Sequence, residues 1–124
     1  MSEKQEKILY IATHANDDPE KAHLPFVLGN AALAMDIQAT VVLQSNGVYL
    51  GKKGFVDNMV AGGGFPPIKK LMEDFRSLGG EIKVCKPCIA ERNIDESELI
   101  EGAETTAGGA VNVAAIEADA VFVF

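Results

Sequence analysis

Cysteine is scarce in this sequence: there are two among 124 residues, and both fall in one turn. Two cysteines cannot build the disulfide framework on which small secreted domains depend. Long apolar runs are missing as well. None approaches the ~20 residues that a membrane-crossing helix needs, so no membrane partner is expected. Basic residues are few, with eleven Lys and Arg against eighteen Asp and Glu and a net charge of −7. The only basic pairs, Lys52-Lys53 and Lys69-Lys70, are too short to make the cationic stripe that a nucleic-acid partner requires. No nucleic acid is expected either. The opening Met1-Ser2-Glu3-Lys4-Gln5-Glu6-Lys7 lacks the apolar stretch of a signal peptide, so a cytoplasmic location is the expectation. Internal repeats and low-complexity segments are absent. Gly62-Gly63-Gly64 is not followed by the Gly-Lys-Ser/Thr of a phosphate-binding loop.

What is present reads as one globular domain over residues 1–124, 48% hydrophobic and 23% charged. Residues 7–13 form a short apolar run with β-branched and aromatic members, a buried strand. Asp18 and Pro19 then suit the cap and first position of a helix running to Met35. Pro25 should kink that helix or mark its true first turn. Residues 38–44 are a second strand, and Ser45-Asn46-Gly47 is a turn signal. Residues 45–65 read as mostly loop, with a short helix around 56–60 and a glycine-rich flap that could cover a site. Tyr49 and Phe65 flank this loop and could line a pocket or an oligomer contact. Ile68, Leu71, Met72 and Phe75 fall on one face of a helix over 68–78, closed by Gly79-Gly80. Residues 81–84 are a third strand running into Cys85. Residues 87–92 read as a turn or two of helix, and 95–101 as an ambiguous short helix. Thr105 or Thr106 should cap a last helix over 107–117, and residues 120–124 are an uncharged closing strand. Strands alternating with helices predict an α/β fold: a three-layer α/β/α domain around a mostly parallel sheet of about five strands. Sites in such sheets gather at the carboxyl ends of strands, where residues 14–18, 45–50 and 85–88 all belong.

The chemistry-bearing motif is Cys85-Lys86-Pro87-Cys88. Cys85 sits where a strand should give way to a short helix. Helix N–H groups and the Lys86 charge would both favour thiolate over thiol, and Pro87 would fix the turn. Cys88 lies close enough to respond to Cys85, so the pair is a candidate catalytic centre. Other readings stand beside it. A strand-end cysteine can be plain packing. Cys85, Cys88, His14 and His23 have the ligand count for zinc, and two cysteines with two residues between them also suit a redox pair. His14, after the first strand, could serve as a base or bind substrate, whereas His23 reads as a solvated or capping residue. Asn16 and Asp17 read as helix-start residues. Lys86 and Asn46 join His14 as candidate substrate-binding residues.

Three stretches together resemble the DsrE/DsrF-like family of small sulfur-handling proteins, which includes sulfur-relay subunits used in tRNA thiolation. They are the opening strand with Asp17-Asp18-Pro19-Glu20-Lys21-Ala22, then Val41-Val42-Leu43-Gln44-Ser45-Asn46-Gly47-Val48, and then Lys83-Val84-Cys85-Lys86-Pro87-Cys88-Ile89-Ala90-Glu91-Arg92-Asn93-Ile94. In the family a cysteine ends the third strand, and an arginine-glycine-hydrophobic sequence follows. Here Arg92-Asn93-Ile94 has asparagine in place of glycine. The resemblance implies an α/β/α domain assembling as trimers or hexamers, with Cys85 accepting sulfur as a persulfide and passing it to a partner thiol. Sulfur donor and acceptor proteins are the implied partners, and neither a metal nor an organic cofactor is expected. A non-catalytic assembly or ligand-binding subunit is the alternative, as is a thiol–disulfide protein using Cys85 and Cys88. The apolar residues Val48, Tyr49, Leu50, Phe55 and Val56, in a segment read as surface loop, mark an interaction site, and the glycine-rich segment from Gly51 to Gly64 is expected at or near the subunit contacts, where one subunit's loop could help wall the neighbour's Cys85.

Overall fold

A computed structural model describes residues 5–124. Strands β1 (Lys7–Ala12), β2 (Gln38–Leu43), β3 (Glu81–Cys85), β4 (Glu104–Thr106) and β5 (Ala120–Val123) form one sheet. Their order is β4-β3-β2-β1-β5, and every pairing is parallel. Helices α1 (Pro19–Ala34), α2 (Ile68–Ser77), α3 (Lys86–Glu91) and α4 (Gly108–Glu117) connect them. The expected α/β fold with five parallel strands is therefore the observed one.

The main core lies between the sheet and α1 and α2. Tyr10, Ala12, Val41, Leu43, Ile82 and Val84 alternate onto that face and meet Phe26, Leu71 and Phe75. The rings of Phe26 and Phe75 pack edge to face at 5.5 Å. Burying each such side chain stabilises the fold by roughly 1.5–3 kcal/mol. Helix α1 starts where its cap and proline predict: Asp18 accepts the Lys21 N–H, and Pro19 occupies the first position. It runs unbroken to Ala34 with Pro25 inside, so Pro25 does not mark the first turn. The apolar face expected for α2 is the buried one, and Gly79, at φ 97°, follows its cap residue Leu78.

Two elements differ from the sequence expectation. Thr105 and Thr106 do not cap α4. They extend along β3, in register with Val84 and Cys85, and Ala107 precedes the helix without a side-chain cap. A salt bridge from Lys83 Nζ to Glu104 Oε2, 2.7 Å long, fastens this short edge strand. The second difference is the segment 45–65. Ser45–Gly51 is a 3-10 helix, and Val48 and Leu50 are both 0% exposed. Tyr49 stacks on Phe55 at 5.4 Å, and Phe55 and Val56 pack against the core. These side chains fold back onto their own domain because the sheet edge offers them apolar partners. At Gly62 an added Cβ would lie 2.9 Å from the Glu20 nitrogen, so the flap is packed on the start of α1.

Helix α4 lies over the opposite face of the sheet and buries none of its side chains. Between it and the sheet is a cavity of about 440 Å³ lined by Thr40, Lys83, Thr105, Ala110 and Ala114, among others. The exposed large apolar residues of this region are Val113, Ile116, Val121 and Val123.

Gly47 tests how tightly the 45–51 turn is seated. A Cβ there would lie 2.1 Å from the Ala12 carbonyl oxygen, a backbone atom that cannot swing away. Gly47→Ala should cost about 3 kcal/mol or more in urea unfolding. Gly109→Ala, in open space within α4, should be neutral or stabilising by roughly 0.5–1 kcal/mol. Equal effects at the two sites would disprove the close approach.

Candidate functional site

Cys85 closes β3 with φ −63° and ψ 114°, still extended, and serves as the cap residue of α3. Pro87 fixes the first turn of that helix, and its missing N–H costs nothing there. One turn brings Cys88 back over Cys85. The two sulfurs are 2.7 Å apart, and both cysteines are free and half-buried. That separation is longer than a disulfide bond of about 2.05 Å.

The turn after β2 supplies the other wall. Ser45, in left-handed backbone at φ 48°, points its N–H at Cys88 Sγ, 3.4 Å away. Asn46 Oδ1 accepts from Arg92 Nε at 3.4 Å and from Arg92 Nη2 at 3.1 Å. Arg92 Nη1 donates to the Cys88 carbonyl at 3.2 Å. The structure thus brings Cys85, Cys88 and Asn46 together and adds Ser45 and Arg92.

The electrostatics of Cys85 run against the sequence expectation. Burial pushes its thiol up, and the adjoining Cys88 thiol adds to the rise, because two touching sulfurs resist ionising together. The Cys88 backbone N–H and the Arg92 charge pull the other way without prevailing. Lys86 does not supply the expected neighbouring charge. Its Nζ faces Glu96 Oε1 at 3.6 Å on an exposed surface. Arg92 is the cation beside the sulfurs.

Neither histidine is hydrogen-bonded to a cysteine among the described residues. His14 Nδ1 is 2.6 Å from Asp17 Oδ2, and no hydrogen bond among the described residues joins it to a cysteine. Its strand is separated from β3 by β2. Asp17 also accepts the Ala15 N–H at 2.8 Å. Its partial burial is outweighed by these bonds, which hold the carboxyl below the usual carboxylate range. Asp17 therefore braces the loop ahead of the helix, with His14 attached to it, while Asp18 provides the cap. His23 is not solvated: it is 0% exposed, its Nδ1 donates to the Pro19 carbonyl at 2.5 Å, and its ring stacks on Phe65 of the flap. The four residues considered for zinc do not converge, and the described residues contain no group of three or more His, Cys, Asp and Glu able to hold a metal.

Ser45 acts through a backbone N–H, which side-chain chemistry in a sequence does not announce. Arg92 had a signal, its place four residues after Cys88 on the same short helical turn. In the sequence it entered only through the Arg92-Asn93-Ile94 ending of the resemblance, and that spacing went unused.

A parallel α/β domain with a contacting dithiol at the carboxyl edge of its sheet defines the class. The chain belongs to the DsrE/DsrF-like family, whose model matches residues 6–124. It is 34% identical over 101 residues to an uncharacterized protein of Methanocaldococcus jannaschii, covering 82% of this chain and 36% of that protein. A second uncharacterized protein of the same organism is 34% identical over 98 residues, covering 79% of this chain and 82% of that one. An uncharacterized protein of Methanopyrus kandleri is 31% identical over 97 residues, covering 78% and 76%. The chain thus spans about a third of the length of the first relative and about four fifths of the second. Among solved structures, the E. coli ychN protein superposes with a TM-score of 0.80 at 24% identity, covering 97% of this chain and all of that one. This likeness speaks to the fold.

The raised Cys85 thiol has a pH signature. Its thiolate fraction at pH 7 is smaller than that of a free cysteine, so its alkylation rate should still be climbing above pH about 8.5. Cys88→Ala removes the neighbouring thiol and should shift the midpoint downward. Iodoacetamide rates resolved by peptide mass mapping give both midpoints. A wild-type midpoint below that of free cysteine would contradict the assignment.

Proposed function

We propose that this protein is a sulfur carrier. The observation that carries the reading is the contact between Cys85 and Cys88 at the open carboxyl edge of the sheet. Cys85 thiolate attacks the outer sulfur of a donor persulfide, forming Cys85–S–SH and expelling the donor thiolate. A partner thiolate then takes the outer sulfur and regenerates Cys85. Cys88 offers a second exit: its thiolate attacks Cys85 Sγ, expels hydrosulfide and leaves the Cys85–Cys88 disulfide. Donor and acceptor proteins are the partners in this scheme. A cytoplasmic setting belongs to it, since free thiol pairs persist in reducing compartments. No helix among the described residues is long and apolar enough to cross a membrane.

The same sulfur contact favours a second reading, thiol–disulfide exchange without sulfur transfer. Intact mass separates the two. After exposure to a persulfide donor, wild type should gain one sulfur, roughly 32 Da, in a form that reductant removes. Cys85→Ser should gain none, and Cys88→Ser should still load. Uptake by Cys85→Ser at the wild-type level would end the assignment, and a wild type that reversibly loses two hydrogens without releasing hydrosulfide, together with a Cys88→Ser that gains no sulfur, would favour exchange.

The carrier is further proposed to be a homo-oligomer, a trimer or hexamer. Support comes from the exposed apolar side chains of α4 and β5, above all Ile116 at 84% exposure and Val123 at 65%. Clusters of this kind mark association surfaces. Light scattering at micromolar concentration should give a multiple of 13.2 kDa, and Ile116→Glu should lower it. A wild-type mass of one chain would end the oligomer proposal.

A further inference from the structure

Arg92 is half-buried beside the thiol pair, yet among the described residues it forms no ion pair. Lys52, Lys69, Lys70, Lys83 and Lys86 each face a carboxylate, and Lys53, which like Arg92 bonds a neutral carbonyl, lies on exposed surface away from the sulfurs. Its partners are two neutral oxygens, Asn46 Oδ1 and the Cys88 carbonyl. They hold the guanidinium plane in one orientation and leave its charge uncancelled. Three bonds use three of its five N–H donors, leaving one on each terminal nitrogen. In a chain of net charge −7, a pinned and unneutralised cation next to the reactive sulfurs is built for a negative ligand.

We infer that Arg92, oriented by Asn46, is an oxyanion subsite, and that the sulfur donor for Cys85 is a small anion carrying its sulfane sulfur on an oxidised sulfur: a thiosulfonate, or thiosulfate itself. A guanidinium matches such a group through paired N–H···O bonds, which a lysine ammonium does not reproduce in direction. The inference rests on the carrier reading and adds the donor class to it. In the step, Cys85 thiolate attacks the sulfane sulfur of R–SO2–S⁻. The Cys85 S–S bond forms, the donor S–S bond breaks, and its electron pair leaves with the sulfinate RSO2⁻. For thiosulfate the leaving group is sulfite. The products are Cys85–S–S⁻ and that anion, with charge conserved and no outside oxidant. Arg92 binds the oxyanion in the ground state and meets the growing charge of the leaving group.

The test compares alkylation of Cys85 by iodoacetate and by the neutral iodoacetamide. The same thiolate attacks both reagents and expels iodide, so the rate ratio cancels the thiol pKa and reports local potential. The ratio for wild type should exceed that of free cysteine by about five- to tenfold, as one nearby unscreened cation would produce. Arg92→Gln should abolish the excess, Arg92→Lys should keep much of it, and Asn46→Asp, which gives Arg92 a carboxylate, should reduce it. Methanesulfonate, an unreactive analogue, should slow iodoacetamide attack on wild type and not on Arg92→Gln. A wild-type ratio equal to that of free cysteine, a ratio that Arg92→Gln leaves unchanged, or protection matched by chloride at equal ionic strength would overturn the subsite. If the ratio responds as expected but no donor loads Cys85, the subsite stands and the carrier reading falls.

Discussion

Where the chain leaves β2 it crosses the end of β1 so closely that no side chain fits at position 47. The Gln44 N–H bonds the Ala12 carbonyl at 2.9 Å, and the Gly47 N–H returns to the Gln44 carbonyl at 2.8 Å. These contacts tie the 3-10 helix Ser45–Gly51 to two strands at once, and the cysteine edge depends on them. The Ser45 N–H reaches Cys88 and the Asn46 side chain reaches Arg92 because the backbone between them has one place to go. A larger residue at 47 would lift the turn and dismantle the wall of the site while leaving both cysteines in the chain.

Charge contributes little to holding the fold and much to defining the site. The lysine–carboxylate pairs lie on exposed surface, and pairs such as Lys70 with Asp74 or Lys69 with Asp57 are screened by solvent and contribute little. The packed face between the sheet and α1 and α2 supplies the cohesion. That division leaves the carboxyl edge free to keep a costly arrangement, with two thiols in contact and a cation held by neutral oxygens. Stability there comes from hydrogen bonds to fixed backbone, and the unspent polarity is available to a ligand.

Much of the fold was legible in the sequence because its signals are local. The apolar strands, the Asp18-Pro19 helix start, the Ile68-Leu71-Met72-Phe75 face and the Gly79-Gly80 stop each occupy a few adjacent residues. The misreadings share a cause. Thr105 and Thr106 look like caps by residue type, but a parallel neighbour claims their backbone, and no local pattern reveals that neighbour. Val48 and Leu50 sit among glycines and read as loop, although the sheet edge buries them. His23 carries a polar ring, and the flap residue Phe65, far along the chain, stacks on it in an interior position that no local pattern reveals. At the site, Cys85 and Cys88 announced themselves by spacing. The expected electrostatics did not follow, because Lys86 turns to Glu96 and the sulfur contact raises the thiol.

The order β4-β3-β2-β1-β5 also has a kinetic consequence. Strands β1 to β4 are laid down stepwise, each against the one before, so their pairings bring together segments that are near in sequence. The pairing of β1 with β5 is different. It is closed at its base by the Lys7 N–H on the Asp119 carboxylate, groups 112 positions apart. Closing a loop of that length costs entropy before any contact rewards it, and parallel, non-local pairings are the slow ones. The half of the domain that holds the cysteines can therefore assemble ahead of β5, with the docking of the last strand as the late step. Until it docks, Leu9 and Tyr10 lie on an open strand edge, and the interval before closure is when this chain is most exposed to joining the wrong neighbour.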